Sequence, residues 1–446
     1  MKENLLERVA AARPSARQLK WQELEFYAFI HYGMNSFTDR EWGDGSESPE
    51  IFFPRALDTD QWCRVARDAG MSAIIITAKH HDGFCLFDTK HSEHSVMRSP
   101  YGKDVVAQLA DSCARHGLKL GAYLSPWDRH DSRYGSGVAY DDYFCAQLTE
   151  LMSNYGELFC LWFDGACGEG PNGKKQVYDW QRYYALIREM QPNAVIASMG
   201  PDVRWCGNEA GRARPSEWSV VPAVMADKTA IAAASQQADD RNFRERVPED
   251  TADIGSRAAL AGHDEFIWYP AEIDVSLRPG WFYHASEDDA IRGLENLKEI
   301  YIEGVGGNAA LLLNFSPHPQ GYIHANDAAR ARELGDWIRE SFSNNLLSGA
   351  AAIRPDDEAG AHFIIDAPRA ISPKYLVLRE DISRGQRIEA FSLYRMEKGA
   401  WEKACAGTVV GHKRICRIPD APPSDKWKLQ IDSFRLEVFV KTIALY

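Results

Sequence analysis

The stretch LFCLWFDG, from Leu158 to Gly165, is an apolar run that ends in a single aspartate, Asp164. Because the run is apolar at every position rather than at every second one, it is typical of a strand buried on both faces of a sheet. An ionised carboxylate at the end of such a strand costs several kcal/mol unless it is compensated, so it is normally either paired or catalytic. The alternative is an aspartate that only caps the following loop. The rest of the chain decides between the two.

Similar apolar runs recur before residue 345, and helical patterns separate them. The other predicted strands are EFYAFIHYG from Glu25, SAIIITAKHH from Ser72, LKLGAYLS from Leu118, AVIASMG from Ala194, EFIWYPAEI from Glu265 and NAALLLNFSP from Asn308. Helices are predicted near residues 60–69, 103–116, 141–155, 177–190 and 288–303. Alternation of buried strands with helices indicates a parallel sheet covered by helices. We therefore predict an α/β fold, a (β/α)8-like TIM barrel, over residues 1–344.

The stretch 225–263 breaks this rhythm with a sequence rich in Ala, Asp and Arg. A connection of this length is uncommon in a compact domain and tends to be a lid, a binding loop or a disordered segment. We expect it to be mobile.

From about residue 345 the chain changes to short alternating runs separated by Pro, Gly, Asp and Ser. These runs are HFIIDA from His362, KYLVLRED from Lys374, RIEAFSLYRM from Arg387, GTVVGHKRICRI from Gly407 and RLEVFVKTIALY from Arg435. Such a pattern is typical of an all-β domain. We predict a C-terminal β-sandwich over residues 345–446 that supports the barrel.

Composition narrows the classes of partner. The 446 residues carry a formal net charge of −13 and a pI near 5.5, which argues against a nucleic-acid partner because phosphate binding needs clustered Lys and Arg. The nine cysteines form no C-x-x-C pair, and no run approaches the roughly 18 apolar residues of a membrane span. We expect no membrane association and, for the chain as given, a reducing cytoplasmic compartment, or a secreted or periplasmic one if a signal has been removed. The sequence predicts no cofactor and leaves the oligomeric state open.

Polar and aromatic side chains follow the ends of four predicted strands. They are His31 after the first strand, His80 and His81 after the second, Tyr123 at the end of the third and Asp164 after the fourth. Barrel enzymes build their sites at this end of the strands. A single histidine there is more often structural, but four such clusters on one rim predict a site.

The segment DREWGDG adds Glu41 and Trp42. A pyranose has apolar C–H faces that stack on an aromatic ring and hydroxyls that need hydrogen bonds, so a tryptophan beside a carboxylate suits a sugar. If Asp164 is one half of a glycosidase pair, a second carboxylate is required. Glu209, in the glycine-flanked loop GPDVRWCGNEAG, and Glu217, in SEWS, are the candidates. We favour Glu209 because glycines allow close approach to a ligand and Trp205 could raise its pKa.

Together the motifs resemble the α-L-fucosidases of glycoside hydrolase family 29, over about residues 20–320. The motifs are FIHYGMNSF, EWG, AKHHDGFCLFDT, LGAYLSPWD, LWFDGA and LRPGWFYH. The segments GNEAG, EGPNGKKQVYDW and YPAEIDVSLRPGWFYH further resemble the subfamily that prefers α-1,3 and α-1,4 linkages on Lewis-type glycans.

The resemblance implies a retaining exo-α-L-fucosidase in which Asp164 is the nucleophile and Glu209 is the acid/base, with Glu217 as the alternative. It also implies fucose-binding roles, namely hydrogen bonds from His31, His80, His81 and Tyr123 and apolar contacts from Trp42 and Trp281. The DREWGDG pattern adds Glu41 as a further candidate for substrate binding. In a retaining enzyme the two carboxyl groups should lie roughly 5–5.5 Å apart.

Three other interpretations remain. The first is a fucosidase of the same family with broad specificity. The second is a metal-dependent hydrolase with His31, His80, His81 and Asp164 as ligands, although the usual close ligand spacings are absent. The third is a carbohydrate-binding protein without activity. We predict that the protein holds no metal.

Overall fold

The computed structural model describes residues 5–236, 253–349, 352–355 and 361–446. Its N-terminal part is built on the predicted strands. The strands here are β1 Phe26–Ile30, β2 Ala73–Lys79, β3 Lys119–Leu124, β4 Leu158–Phe163, β5 Val195–Ser198, β6 Arg204–Trp205, β7 Val220–Pro222, β8 Phe266–Trp268, β9 Ala271–Ser276 and β10 Ala310–Phe315. Eight of them form one parallel sheet in the order β5-β4-β3-β2-β1-β10-β9-β6.

This sheet is a nearly closed barrel. A parallel bridge between Ala197 and Val203 brings β5 to the start of β6 and so connects the two ends of the sheet. The strands β1, β2, β9 and β10 are buried at every position. The predicted barrel is therefore confirmed, and the uniform apolar pattern reflects strands that are covered on both sides.

Helices follow most of the barrel strands. Those in the described residues are α1 Leu5–Ala11, α2 Ala16–Gln22, α3 Asn35–Thr38, α4 Thr59–Asp68, α5 Val105–His116, α6 Val138–Asn154, α7 Trp180–Met190, α8 Lys228–Ala234, α9 Arg257–Leu260, α10 Leu294–Gly304 and α11 Ala325–Phe342. Local sequence sets several ends: Asp104 caps α5 by accepting from the Ala107 amide at 2.8 Å, and Gly117 ends it with a φ of 68°. Among all the described residues, no helix has both the length and the hydropathy to cross a bilayer.

The barrel differs from the prediction in two places. The two-residue strand β6 lies inside what looked like a loop, because so short a strand has no periodicity to detect. The run EFIWYPAEI is two strands, not one: β8 pairs antiparallel with β7 outside the barrel, and only β9 joins the barrel. Pro270 lies between them, and a proline cannot donate to a strand ladder.

Only the ends of the stretch 225–263, which was expected to be mobile, lie among the described residues. The structure places a 3-10 turn at Ala223–Ala226, then α8, and later α9. Residues 237–252 lie outside the described residues, so the expected mobility of the stretch stays a prediction.

The C-terminal part contains two antiparallel sheets. Its strands are β11 Ala352–Pro355, β12 His362–Ile371, β13 Tyr375–Glu380, β14 Ile388–Glu397, β15 Ala400–Thr408, β16 Arg414–Arg417, β17 Ser424–Phe434 and β18 Val440–Leu445. One sheet has the order β11-β12-β17-β14-β15 and the other β16-β13-β18. The predicted sandwich is confirmed, although β17, the strand between β12 and β14, was missed. The run GTVVGHKRICRI is the end of β15, a turn and β16 rather than one strand.

A buried ion cluster holds this part against the bottom of the barrel. Glu25, just before β1, accepts hydrogen bonds from Lys413 at 2.6 Å and from Arg379, and it contacts His412 at 3.1 Å. Burial by itself would raise the pKa of Glu25, but these partners hold it far below its usual range. The sandwich therefore contacts the end of the barrel opposite the strand ends that carry the polar residues.

Candidate active site

The strand ends on the other side of the barrel surround a pocket of about 610 Å³. The structure brings most of the sequence-predicted site residues into its wall. These are His31, Glu41, Trp42, His80, His81, Tyr123, Asp164, Glu209 and Trp281. Glu217 is not among the lining residues. Residues from loops far apart in the chain therefore meet in one place, as the parallel barrel requires.

Asp164 follows β4 and is the residue that the first sequence motif singled out. The Tyr123 hydroxyl donates to its Oδ2 at 3.0 Å, and the Ala166 amide donates to its Oδ1 at 2.8 Å. The side chain keeps 24% of its surface exposed. The two donors hold the carboxyl group in place, and its open face can reach a ligand.

His81 presents an acceptor to the pocket. The Ser125 hydroxyl donates to the carbonyl of Trp127 at 2.6 Å, so its oxygen is left to accept from Nδ1–H of His81 at 2.7 Å. Burial lowers the pKa of His81 to about 4, although the charge of Asp164 raises it. The neutral ring therefore carries a lone pair on Nε2, which lies 3.7 Å from Oδ2 of Asp164.

His31 is held in the same tautomer by a different partner. The Asn314 amide nitrogen donates to Ser276 and to the Trp281 carbonyl, so its oxygen accepts from Nδ1 of His31 at 2.8 Å. Burial lowers the pKa of His31 to about 4 and that of His80 well below its usual value. At neutral pH the pocket therefore offers uncharged imidazoles, and Nε2 of His31 is a second acceptor.

Glu209 lies in the loop after β6, which is shaped by its own residues. The Asn208 side chain donates to the Arg212 carbonyl at 2.9 Å and accepts from the Ala210 amide at 3.1 Å. Gly211 turns the chain with a φ of 72°, a conformation that favours glycine. Glu209 is only 7% exposed, and Nε1 of Trp281 donates to its Oε2 at 3.0 Å. The loop thus directs this carboxyl into the pocket against an indole.

Glu41 lines the pocket, but its carboxylate is occupied by the loop that carries Trp281. Oε2 accepts from the Trp281 amide at 2.8 Å, and Oε1 accepts from the Phe282 amide at 3.1 Å. Nε2 of His284 lies 2.7 Å from Oε1. Glu41 therefore fixes the position of Trp281, a function that the sequence pattern did not reveal.

Glu217 belongs to the protein interior. It is fully buried and forms ion pairs with Arg204 and, at 3.4 Å, with Arg214. Burial alone would raise its pKa, but the two guanidinium groups lower it. A carboxylate held charged by two arginines suits an ion pair and not a proton donor.

The sequence interpretation missed several residues of the pocket wall. They include Trp162, Ser198, Ser235, Asp274 and Phe282. Asp274 could have been found by the criterion used for Asp164, since it is a carboxylate inside the apolar strand β9. Ser198, which ends β5 with a φ of 59°, and Ser235, which ends α8, carry no sequence signal of this kind.

Trp205, the tryptophan that the sequence placed near Glu209, also donates to another carboxyl group of the wall. Its Nε1 donates to Oδ1 of Asp274 at 2.8 Å, whereas the indole that donates to Glu209 is that of Trp281. With respect to the metal-dependent alternative, the described ranges contain no group of three or more His, Cys, Asp or Glu side chains that could hold a metal ion.

A nearly closed parallel barrel with carboxyl groups, neutral imidazoles and tryptophans around one pocket defines the class as a glycoside hydrolase. Residues 46–341 match the family model described as alpha-L-fucosidase. The chain is 37% identical to alpha-L-fucosidase 1 of Arabidopsis thaliana, an alignment that covers 97% of this chain and 87% of the relative. The chain belongs to the α-L-fucosidase family, glycoside hydrolase family 29, and its substrate is a fucosylated glycoside.

Solved structures agree with this assignment. A crystal structure from Bacteroides ovatus superposes with a TM-score of 0.90 at 42% identity, covering 100% of this chain and 76% of that chain. A glycoside hydrolase 29 fucosidase from Ruminococcus gnavus, solved in complex with fucose, gives a TM-score of 0.80 at 26% identity, covering 98% of this chain and 95% of that chain.

Proposed function

We propose that this enzyme is a retaining exo-α-L-fucosidase that removes terminal α-1,3- and α-1,4-linked fucose from Lewis-type glycans. Asp164 is the nucleophile and Glu209 is the acid/base. The observation that carries the assignment is the contrast between two carboxyl groups in one pocket. Asp164 is partly open and receives two hydrogen bonds, whereas Glu209 is buried against Trp281. Two carboxyls in unlike surroundings are what acid and nucleophile roles require.

The reaction takes two displacements. In the first, Asp164 forms a bond to C1 of fucose as the bond from C1 to the glycosidic oxygen breaks, and Glu209 gives its proton to that oxygen. In the second, Glu209 takes a proton from water, the resulting hydroxide oxygen bonds to C1, and the bond to Asp164 breaks. Fucose leaves with its anomeric configuration retained.

The remaining wall suits a deoxy sugar. Nε2 of His31 and of His81 accept hydrogen bonds from sugar hydroxyls, because both rings are neutral and donate through Nδ1. Trp42 and Trp281 offer apolar faces for the C–H side and the methyl group of fucose. The fucose complex of the Ruminococcus gnavus relative supports a pocket of this kind.

The segment after β4, at the rim of the pocket, determines the linkage preference. Nε1 of Trp127 donates to the Glu169 carbonyl at 3.1 Å, and Trp127 packs edge-on against Trp42 with ring centroids 5.6 Å apart. The loop 168–179 therefore borders the fucose site, where the next sugar of a branched glycan would bind.

A product screen on defined α-1,2, α-1,3, α-1,4 and α-1,6 fucosides tests the preference. We expect fucose release from the α-1,3 and α-1,4 compounds at least tenfold faster than from the others. Similar rates on all four would replace the proposal by a broad-specificity fucosidase.

The mechanism has its own tests. Proton NMR of the first turnovers should show the α-anomer of fucose before mutarotation, and the β-anomer would exclude retention. A fluorinated fucosyl inactivator followed by peptide mapping should label Asp164. Labelling at another residue would overturn the nucleophile assignment.

A further inference from the structure

Asp274 is a further carboxyl residue of the pocket wall that has no role in the mechanism above. Asp274 is on β9, is 4% exposed and lines the pocket together with Glu209. Its Oδ1 accepts from Nε1 of Trp205 at 2.8 Å, as Oε2 of Glu209 accepts from Nε1 of Trp281. Two buried acids, each held by an indole, therefore share one wall.

The surroundings of Asp274 are negative. The titratable groups that face it are Glu209 across the pocket wall, Glu272 two residues earlier on β9, and the thiol of Cys206 after β6. Burial, followed by the charge of Glu209, raises the pKa of Asp274 well above its usual range, while the Trp205 bond lowers it. Two buried carboxylates that repel each other do not both ionise readily, and in general such groups titrate in coupled steps.

We propose that Asp274 and Glu209 form an acid pair that shares one proton at neutral pH, so that Asp274 keeps Glu209 supplied with the proton it donates. This inference rests on the proposed role of Glu209 and extends it to Asp274, a positioning residue that acts through Glu209.

The pair serves both steps. While it holds one proton, repulsion from Asp274 opposes loss of that proton to solvent. Once Glu209 has passed the proton to the glycosidic oxygen, the pair carries two negative charges, and the same repulsion makes Glu209 a stronger base toward water. Transfer of a proton from that water to Glu209 returns the pair to its starting state, so protons balance over the cycle.

The test is the alkaline limb of kcat/KM against pH on a Lewis-type trisaccharide. Asp274→Asn removes the repulsion, so the last proton leaves Glu209 more easily and the limb should move to lower pH by about one unit or more. Trp205→Phe keeps both carboxyls but removes the donor that stabilises ionised Asp274, so the limb should move to higher pH.

Two comparisons keep the result interpretable. Glu272→Gln removes another buried carboxyl group from β9, one whose hydrogen-bond partners are Tyr27 and Trp162. This variant should move the limb less than half as far as Asp274→Asn does. An activated aryl fucoside, whose leaving group needs little protonation, should show no such limb in any variant.

If Asp274→Asn and Trp205→Phe slow the enzyme but leave the limb in place, the acid pair is wrong and Asp274 is only structural. If Asp274→Asn does not fold, the shift of the alkaline limb to higher pH in Trp205→Phe is by itself the test of the acid pair. The same assay on Glu209→Gln separates the two proposals. If Glu209→Gln loses equal activity on the trisaccharide and on the aryl fucoside, Glu209 is not the acid. If it loses far more on the trisaccharide while the limb stays in place in Asp274→Asn and Trp205→Phe, Glu209 is the acid and only the acid pair is wrong.

Discussion

The indole nitrogen of Trp281 donates a hydrogen bond of 3.0 Å to Glu209, a residue 72 positions earlier in the chain. Glu41 in turn holds the Trp281 amide at 2.8 Å. The loop after β1, the loop after β6 and the loop after β9 are thus connected through one tryptophan. The position of the proposed acid/base depends on that connection.

Trp281→Phe should therefore impair the proton donor while it keeps an aromatic ring in the wall. Loss of a hydrogen bond to a chargeable group costs about 1.5–3 kcal/mol, so kcat/KM on a Lewis-type trisaccharide should fall roughly 10- to 100-fold. An activated aryl fucoside should lose much less. Steady-state kinetics on both substrates provides the measurement, and equal losses would show that the indole acts on fucose binding and not on Glu209.

Glu209→Ala and Glu217→Gln should separate chemistry from stability. Glu209→Ala should slow the trisaccharide far more than the aryl fucoside, because only the former needs its leaving group protonated. Glu217→Gln leaves two buried arginines short of a partner and should lower the free energy of unfolding by roughly 3–5 kcal/mol, without changing the ratio of the two rates. Urea unfolding and kinetics measure these effects. The reverse pattern would make Glu217 the acid/base.

Tyr123→Phe should weaken the nucleophile without removing it. The variant loses the hydroxyl that donates to Asp164 at 3.0 Å, and kcat should fall roughly 10- to 100-fold on both substrates because Asp164 acts in both displacements. Asp164→Asn, the matched comparison, should leave almost no turnover on either. Activity of Tyr123→Phe close to that of the unchanged enzyme would show that the hydroxyl is dispensable.

Glu272→Gln should alter how stability depends on pH. Burial raises the pKa of Glu272 from 4.5 to about 7, although Tyr27 and Trp162 donate to its carboxylate. The folded protein therefore holds a proton that the unfolded chain releases, and this contribution is complete below pH 4.5 and is lost as pH rises to about 7. Relative to the unchanged enzyme, the variant should gain roughly 2 kcal/mol of unfolding free energy between pH 5 and 7.5.

Urea denaturation at several pH values checks this difference. Parallel stability curves for the two proteins would mean that Glu272 has the same proton affinity in the folded and unfolded chains. The carboxyls of Asp82 and Glu380, whose pKa values burial also raises to about 7, are present in both proteins and cancel in the comparison.

The barrel could be predicted from the sequence because its strands are buried along all or nearly all of their length, so that consecutive residues are apolar, as in LFCLWFDG. Asp164, His31 and His81 could be predicted for a related reason. In a parallel barrel the carboxyl ends of all strands meet at one face, so residues at strand ends lie together whatever their separation in the chain.

Elements without a local sequence pattern were not predicted. The strand β6 has only two residues. In the sequence β8 looks continuous with β9, although Pro270 separates the two strands in the structure. The site was incomplete for a similar reason, because Ser235 reaches the pocket only through the fold of a long connection.

The sequence alone determined the architecture, the family and the residues at the strand ends, since these follow from local hydrophobicity and motif order. Only the tertiary structure decided what each carboxyl faces. Glu217 meets Arg204 and Arg214, Glu209 meets an indole, and Glu41 meets two backbone amides. Charge state depends on burial and on neighbours within a few ångströms, and those neighbours come from segments whose contacts no short stretch of sequence specifies.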